Sequence, residues 1–398
     1  MISTLLIDLD DTLLINDMDE FIPAYLNKLS QYLDPILPSN TMIRQLYVGT
    51  QAMINNNDLD KTLAEVFAEN FFPFLEVSAE ELISHIDSFY AEEFRKLKKY
   101  TQPIPSAQRL IAFAMDKQYE IVIATNPLFP LTAIEQRLEW AELPADQYPF
   151  SLITSYESFH FAKPKMEYVA EILAKCGRNP HEAVMIGNDL ALDLPPATEL
   201  GAAAFHVGEN SRGPYPYGNL DDAIQWIKDS PAFPEPARCT SPEALLARLR
   251  GNLVAFIEFP NLVQPDQWRL KPSPDNWAPI EVLAHLRDVE KEINLHRVER
   301  ILKENTPFLS APDSDRWAEE RSYIHASPDD VYADLIQTRR QTLALLESQA
   351  SDAWERPTRH AIFGPTQLSE IVRIFLEHDV LHIRQIRETL AALEAIRS

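Results

Sequence analysis

The chain begins with a short apolar run, Thr4-Leu5-Leu6-Ile7-Asp8-Leu9, whose length and closure on an aspartate predict a buried strand. From about residue 18 to 100 the pattern is helical, with amphipathic stretches such as Phe21-Ile22-Pro23-Ala24-Tyr25-Leu26 and Leu82-Ile83-Ser84-His85-Ile86. Apolar runs of strand length return at 119–124, 150–154, 183–186 and 202–207. Helical patterns at 106–117, 130–141, 164–176 and 191–200 lie between them. Buried strands separated by helices predict an α/β unit with a parallel sheet covered on both faces, and the block at 18–100 reads as an insertion.

Residues 229–240 are proline-rich and aperiodic, and mark a domain boundary. Beyond them no run predicts a strand. Four long amphipathic segments, near 241–258, 279–304, 328–350 and 366–396, predict a separate all-α four-helix bundle.

Composition narrows the chemistry. The chain has 398 residues, of which 9 are glycine and 30 proline, and six of those glycines fall between Gly177 and Gly218. Neither a P-loop nor a dinucleotide fingerprint can be assembled from so few, so phosphate must be handled some other way if it is handled at all. Apolar residues make up 45% and charged ones 24%, which predicts folded, soluble domains. No apolar run approaches the length of a membrane span, and the N-terminus does not read as a secretory signal. Cys176 and Cys239 are too few for a disulfide framework, so a cytoplasmic location is expected. Residues 1–235 carry a net charge of −19 and residues 236–398 one of −5. Neither half has the basic surplus that nucleic-acid binding needs, while the acidic first half suits divalent cations.

The candidate chemistry of the first half sits at strand ends. Asp8-Leu9-Asp10-Asp11-Thr12 follows the first strand and Thr125-Asn126 the strand at 119–124. Lys163 lies past the 150–154 strand, and Asn188, Asp189 and Asp193 follow the one at 183–186. Ligands of open parallel sheets bind at the carboxyl ends of the strands, so these residues are expected to converge. Such a set suits phosphoryl transfer to a carboxylate. Asp8 would attack phosphorus, and Asp10 would protonate the leaving oxygen and then activate water. Two carboxylates repel an anionic substrate, so Mg²⁺, a lysine and hydroxyl or amide donors are needed to offset the charge.

Asp8-Leu9-Asp10-Asp11-Thr12, Thr125-Asn126, Lys163-Pro164 and Gly187-Asn188-Asp189 with Asp193 resemble the four motifs of the haloacid-dehalogenase-like hydrolase superfamily. The resemblance covers about residues 1–228. It implies a Rossmann-like core (1–14 and 101–228) with a helical cap (15–100) that sets the substrate. It also implies that Asp8 is the nucleophile, that Asp10 is the acid/base, and that Thr12, Thr125, Asn126 and Lys163 face the phosphate. Mg²⁺ would be held by Asp8, the Asp10 carbonyl and the fourth motif. Many members have an aspartate where Asn188 stands, so either Asn188 or Asp189 would be the ligand there, with Asp193 also in the Mg²⁺ site. Asp11 occupies a position where the family often has glycine. Dehalogenases lack the acid at the second position, so Asp10 favours a phosphatase of a small phosphorylated metabolite. In the cap, Phe67, Phe71, Phe72 and Phe74 are either cap core or the lining of a substrate pocket.

The second half concentrates histidine. His378 and His382, four residues apart, project from one helical face, Gln385 follows on that face, and His285 lies on the helix predicted at 279–304. Packing the two helices together would give a three-imidazole site for Zn²⁺, Ni²⁺ or Fe²⁺. His325 and His360 fall in predicted loops and read as solvated. The segments Trp277–Leu286, Trp317–Arg321 and Glu377–Ile386 resemble DinB-like proteins, which are four-helix bundles with a three-histidine metal site. That resemblance covers most of 241–398 and makes His285, His378 and His382 the ligands. It leaves open a metal-dependent transferase of low-molecular-weight thiols, a non-catalytic metal-stabilised binding module, and an oligomer formed through the bundle. Ala278 stands where a capping hydroxyl is common, a loss of about 1 kcal/mol.

Overall fold

A computed structural model describes residues 2–75, 77–210, 213–230 and 241–397. Residues 231–240 of the proline-rich connector, and Cys239 with them, lie outside the described residues. Contacts divide the chain into two units. The first runs from the N-terminus to Val169 and resumes at Pro180; the second comprises Ala170–Asn179 and the helices from Pro242 onward.

In the first unit the leading apolar run forms β1 (Thr4–Ile7), fully buried at the middle of a sheet. β2 (Leu14–Asn16) follows within ten residues, and β3 (Thr101–Pro103) pairs with it antiparallel, Leu14 opposite Pro103 and Asn16 opposite Thr101. Between these two strands the insertion forms α1 (Met18–Leu33), α2 (Ser39–Asn55), α3 (Leu63–Phe71) and α4 (Ala79–Ser88). Its helix starts follow capping chemistry. Asp17 and Ser78 accept backbone N–H groups of the first turns of α1 and α4, and Thr62 and Glu65 cap α3 reciprocally. Phe21, Tyr25, Phe89, Tyr90 and Phe94 pack edge-on or stacked to form an aromatic cap core.

The chain continues as α5 (Pro105–Asp116), β4 (Glu120–Ile123), α6 (Leu131–Trp140), β5 (Phe150–Ile153), α7 (Met166–Cys176, which from Ala170 onward is counted with the second unit), β6 (Ala183–Gly187), α8 (Leu194–Leu200), β7 (Ala203–Val207), β8 (Tyr217–Gly218) and α9 (Leu220–Asp229). Among the described residues the largest sheet has six strands, in the order β5-β4-β1-β6-β7-β8, and every pairing in it is parallel. The order reverses at β1, which places the crevice for a ligand beside its carboxyl end.

The second unit contains α10 (Pro242–Ile257), the short α11 (Phe259–Leu262), α12 (Pro279–Val289), α13 (Leu295–Lys303), the short α14 (Trp317–Glu320), α15 (Pro328–Glu347) and α16 (Leu368–Arg397). Pro242, Pro279 and Pro328 each occupy a first helical turn, where the missing N–H costs nothing. The helix expected at 279–304 is divided by a π-helical turn, Glu290–Asn294. Glu290 is fully buried there and accepts from Arg339 Nη2 (2.8 Å), Thr342 (2.5 Å) and Asn294 (2.9 Å). Arg339 also forks onto Asp379 at 2.5 and 2.9 Å, so one buried guanidinium joins α15, α16 and the π turn.

Two expectations for this half fail. A small sheet, β11-β10-β9, is built from β9 (Phe308–Leu309), β10 (Pro357–His360) and β11 (Gly364–Gln367). Strands of two to four residues interrupted by Pro357 and Pro365 carry no alternating pattern, which is why none was expected. His360 belongs to β10 and is buried, its Nδ1 accepting from the backbone N–H groups of Ile362 and Phe363. No described helix is long and apolar enough to cross a membrane.

Candidate active site and metal centre

Ile7 lies opposite both Ile123 and Ile186, so the chain leaves β1, β4 and β6 at one edge of the sheet. Backbone hydrogen bonds carry the pairing one residue further, from Asp8 N to Ile186 O (2.9 Å) and from Ala124 N to Ile7 O (2.7 Å). Asp8 is buried at that edge. Its Oδ1 accepts from Lys163 Nζ (2.8 Å) and its Oδ2 from Thr12 Oγ1 (3.1 Å). Lys163 also reaches Asp193 Oδ1 at 2.5 Å, and Asn126 Oδ1 accepts from the Lys163 backbone N–H at 3.3 Å. Thr125 follows β4 and is buried, its carbonyl accepting from Thr154 Oγ1 (2.6 Å) and Tyr168 Oη (2.7 Å), which fixes the turn that carries it.

The fourth motif divides its labour. Asn188 Oδ1 stands 3.3 Å from Thr12 Oγ1, the hydroxyl that also meets Asp8. Asp189 turns away, its Oδ1 accepting from the N–H groups of Ala191 and Leu192 to close the loop. Asp193 Oδ2 accepts from Asp189 N (3.0 Å), which aims its other oxygen at Lys163. Gly187 makes room for this, because a Cβ there would lie 2.7 Å from Asp193 Cγ. Asp11 adopts φ 55°, the left-handed conformation that favours glycine, and its Oδ1 accepts from Asn16 N at 2.8 Å.

Burial raises the Asp8 carboxyl to about 7, against the opposing pull of Lys163. Burial alone would lower Lys163, but Asp193 and Asp8 outweigh it and hold the ammonium above its ordinary value. Asp8 Oδ2 and Asn188 Oδ1 flank one hydroxyl and so face a common space. Oxygen donors of this kind suit a hard cation such as Mg²⁺.

Asp10 shares none of these hydrogen bonds. Its Oδ2 pairs with Arg137 Nη1 (2.5 Å) and its Oδ1 accepts from Asn16 Nδ2 (2.8 Å). Arg137 is buried, with its guanidinium over the Phe129 ring. Neither Arg137 nor Asn16 belongs to a recognisable motif, and Arg137 meets Asp10 across 127 positions of sequence. Asp10, Arg137 and Asn126 edge a cavity of about 400 Å³ whose other walls are mainly cap side chains. Phe67 and Phe71, stacked at 4.8 Å, line it, whereas Phe74 is exposed.

In the second unit α12 and α16 bring His285, His378 and His382 together. Their ligand atoms all lie within 4.8 Å of one another, and His378 Nε2 is 3.2 Å from Nε2 of each of the others. His382 donates from Nδ1 to Gln385 Oε1 (2.7 Å), which leaves its Nε2 lone pair facing the cluster. Trp277 stacks on His382 and packs against His285, covering one side. Burial lowers all three imidazoles, His285 to about 4 and His378 to about 2, and the neighbouring rings add to the effect on those two. Three neutral imidazoles with converging nitrogens fit a borderline transition metal. A pocket of about 150 Å³, lined by His378, His360, Arg297 and Asn294, adjoins the cluster. Ala278 supplies no cap to α12, but the Glu281 carboxylate accepts from its N–H at 2.8 Å.

The family model described as haloacid dehalogenase-like hydrolase matches residues 2–201, and that of the DinB superfamily matches 245–386. Among solved structures, a HAD phosphatase from Thermococcus onnurineus is 18% identical, with 57% of this chain and 98% of that one covered at a TM-score of 0.38. CbbY from Rhodobacter sphaeroides, solved in complex with phosphate, is 17% identical, with 55% and 93% covered at 0.37. YfiT from Bacillus subtilis, which has an unusual four-helix bundle topology, is 19% identical, with 38% and 87% covered at 0.35. No curated protein matches the chain.

Proposed function

Because the chain belongs to the haloacid dehalogenase-like hydrolases, we propose that its first unit is a cytoplasmic, Mg²⁺-dependent phosphatase of small phosphate monoesters that works through an aspartyl-phosphate. The observation that carries this reading is the Asp8–Lys163–Asp193 cluster, with Thr12 and Asn188, at the carboxyl end of β1. Asp8 is the nucleophile: an oxygen–phosphorus bond forms from its carboxylate as the ester bond to the alcohol breaks. The electron pair leaves with the alcohol oxygen, which takes a proton from Asp10. Asp10 then removes a proton from water. The water oxygen bonds to phosphorus, and the Asp8–phosphorus bond breaks. Arg137 and Asn16 hold both oxygens of Asp10, so one of these contacts gives way when Asp10 takes up and delivers the proton. Lys163, Thr12, Thr125 and Asn126 donate to the phosphoryl oxygens and position them in line with Asp8. Asp8, the Asp10 carbonyl and Asn188 would hold Mg²⁺, with Asp193 anchoring Lys163 beside it. When bound, the ion offsets the negative charge of carboxylates and phosphate.

For the second unit we propose a transition-metal centre on His285, His378 and His382 that is open to a small ligand. The pocket beside His378 favours this over a closed structural site, since a buried metal with an adjoining cavity keeps a coordination position free.

The phosphatase reading is tested with Asp8→Asn. The variant should fold as the wild type does and lose hydrolysis of an aryl phosphate by at least roughly 10³-fold, whereas wild-type turnover in it removes Asp8 as the nucleophile.

A further inference from the structure

We propose that the cavity beneath the cap receives an apolar alcohol, so that the preferred substrates are phosphate esters of aliphatic or aromatic alcohols rather than of sugars. This rests on the phosphatase reading for the placement of the phosphate. The cavity, about 400 Å³, is of a size that holds small ligands and meets the catalytic edge at Asp10 and Asn126. In-line displacement sends the leaving group away from Asp8 and toward Asp10, so the alcohol enters this space.

Its walls include Ile22, Leu26, Leu46, Phe67 and Phe71, and most of the lining surface is apolar although several polar side chains reach it. Several of those groups already have partners. Both Asp10 oxygens are taken by Arg137 and Asn16, Tyr25 Oη pairs with Tyr90 Oη at 2.8 Å, and Thr50 Oγ1 donates to Leu46 O at 2.8 Å. Arg137 keeps Nε and Nη2 without partners beside Asp10, and Asn126, Tyr47, Gln51 and Tyr156 also carry polar atoms, but the other walls are apolar and would face most of a hexose's hydroxyls with carbon. Each hydroxyl buried without a partner weakens binding, whereas each methylene buried here strengthens it. The lining reaches the surface through Met18, Ile43 and Tyr47, all exposed, so an alkyl chain longer than the cavity still meets apolar contacts.

Binding to the full chain in Mg²⁺, measured by calorimetry with non-hydrolysable phosphonates, tests this without requiring turnover. Affinity should rise roughly two- to fourfold per methylene from butyl- to hexylphosphonate, and hexylphosphonate should bind at least about tenfold tighter than the phosphonate isostere of glucose 6-phosphate. Leu46→Gln should reduce that preference severalfold. Ile43→Ser, at the exposed rim, makes the same test if the first variant does not fold. A flat alkyl series or tighter sugar binding overturns the proposal. Acetyl phosphate separates the two readings. Asp8-dependent turnover of it without alkyl preference leaves the phosphatase standing and the apolar pocket refuted. Alkyl preference without turnover of acetyl phosphate or hexyl phosphate supports the pocket and removes the phosphatase.

Discussion

At the scale of single residues, Gly187 and Asp193 show how little freedom the catalytic edge has. A methyl group on residue 187 would clash with an oxygen of the Asp193 carboxylate, whose other oxygen holds Lys163 beside Asp8. Gly187→Ala should therefore cost about 1–3 kcal/mol of stability by overpacking, measurable by chemical denaturation. It should also lower phosphatase kcat by at least roughly 10²-fold through the displaced lysine. Near-normal turnover with unchanged stability would show that the contact is not needed. The left-handed Asp11 explains why glycine is common at its position, and why an acid is tolerated there: its carboxylate closes the turn onto Asn16. Asp8, Lys163 and the fourth motif were legible because their spacing follows the strand ends. The different placements of Asn188 and Asp189 were not, because they depend on which side chain caps the loop. Arg137 gave no signal, since a basic residue on an amphipathic helix ordinarily faces water.

Among the elements, length decided what could be read. α15 and α16 repeat their apolar positions over many turns, and the buried core strands form unbroken apolar runs. The two-residue strand β9, and the β2–β3 ribbon with Pro103 in it, are set by tertiary pairing and leave no local period. The π turn is likewise invisible in sequence, because its cause is a buried Glu290 reaching Arg339 on α15. Arg339 also grips Asp379, the neighbour of His378, and so sets the rotation of α16 that presents both its histidines to His285. With the three histidines held on two such helices, His382→Ala should keep the helical content and lose bound Zn²⁺, Ni²⁺ or Fe²⁺ after dialysis, as read by elemental analysis of the full chain. Stoichiometric metal in that variant would rule out the triad.

For the whole molecule, acidification should act on the two units with opposite sign. His285 and its neighbours titrate below the ordinary 6.5 in the folded protein. The unfolded chain then binds more protons, and the stability they contribute is present above pH 6.5 and lost as pH falls toward 4. Asp8 is raised from 3.8 to about 7, so the folded core binds the extra proton and gains stability as pH falls through 7. Calorimetry of the metal-free protein between pH 7.5 and 5 should show the bundle transition losing about 1–3 kcal/mol while the core transition holds or rises. Equal downward shifts of both transitions would contradict these assignments.

The β2–β3 ribbon has a consequence of another kind. It brings the entry and exit of the cap side by side, in register from Leu14 and Pro103 to Asn16 and Thr101. With both chain ends pinned as neighbours, doubling the length of the inserted segment costs only about 0.6 kcal/mol of closure entropy. The cap is therefore an exchangeable cassette. It can be lengthened, trimmed or replaced without altering the sheet edge at the end of β1.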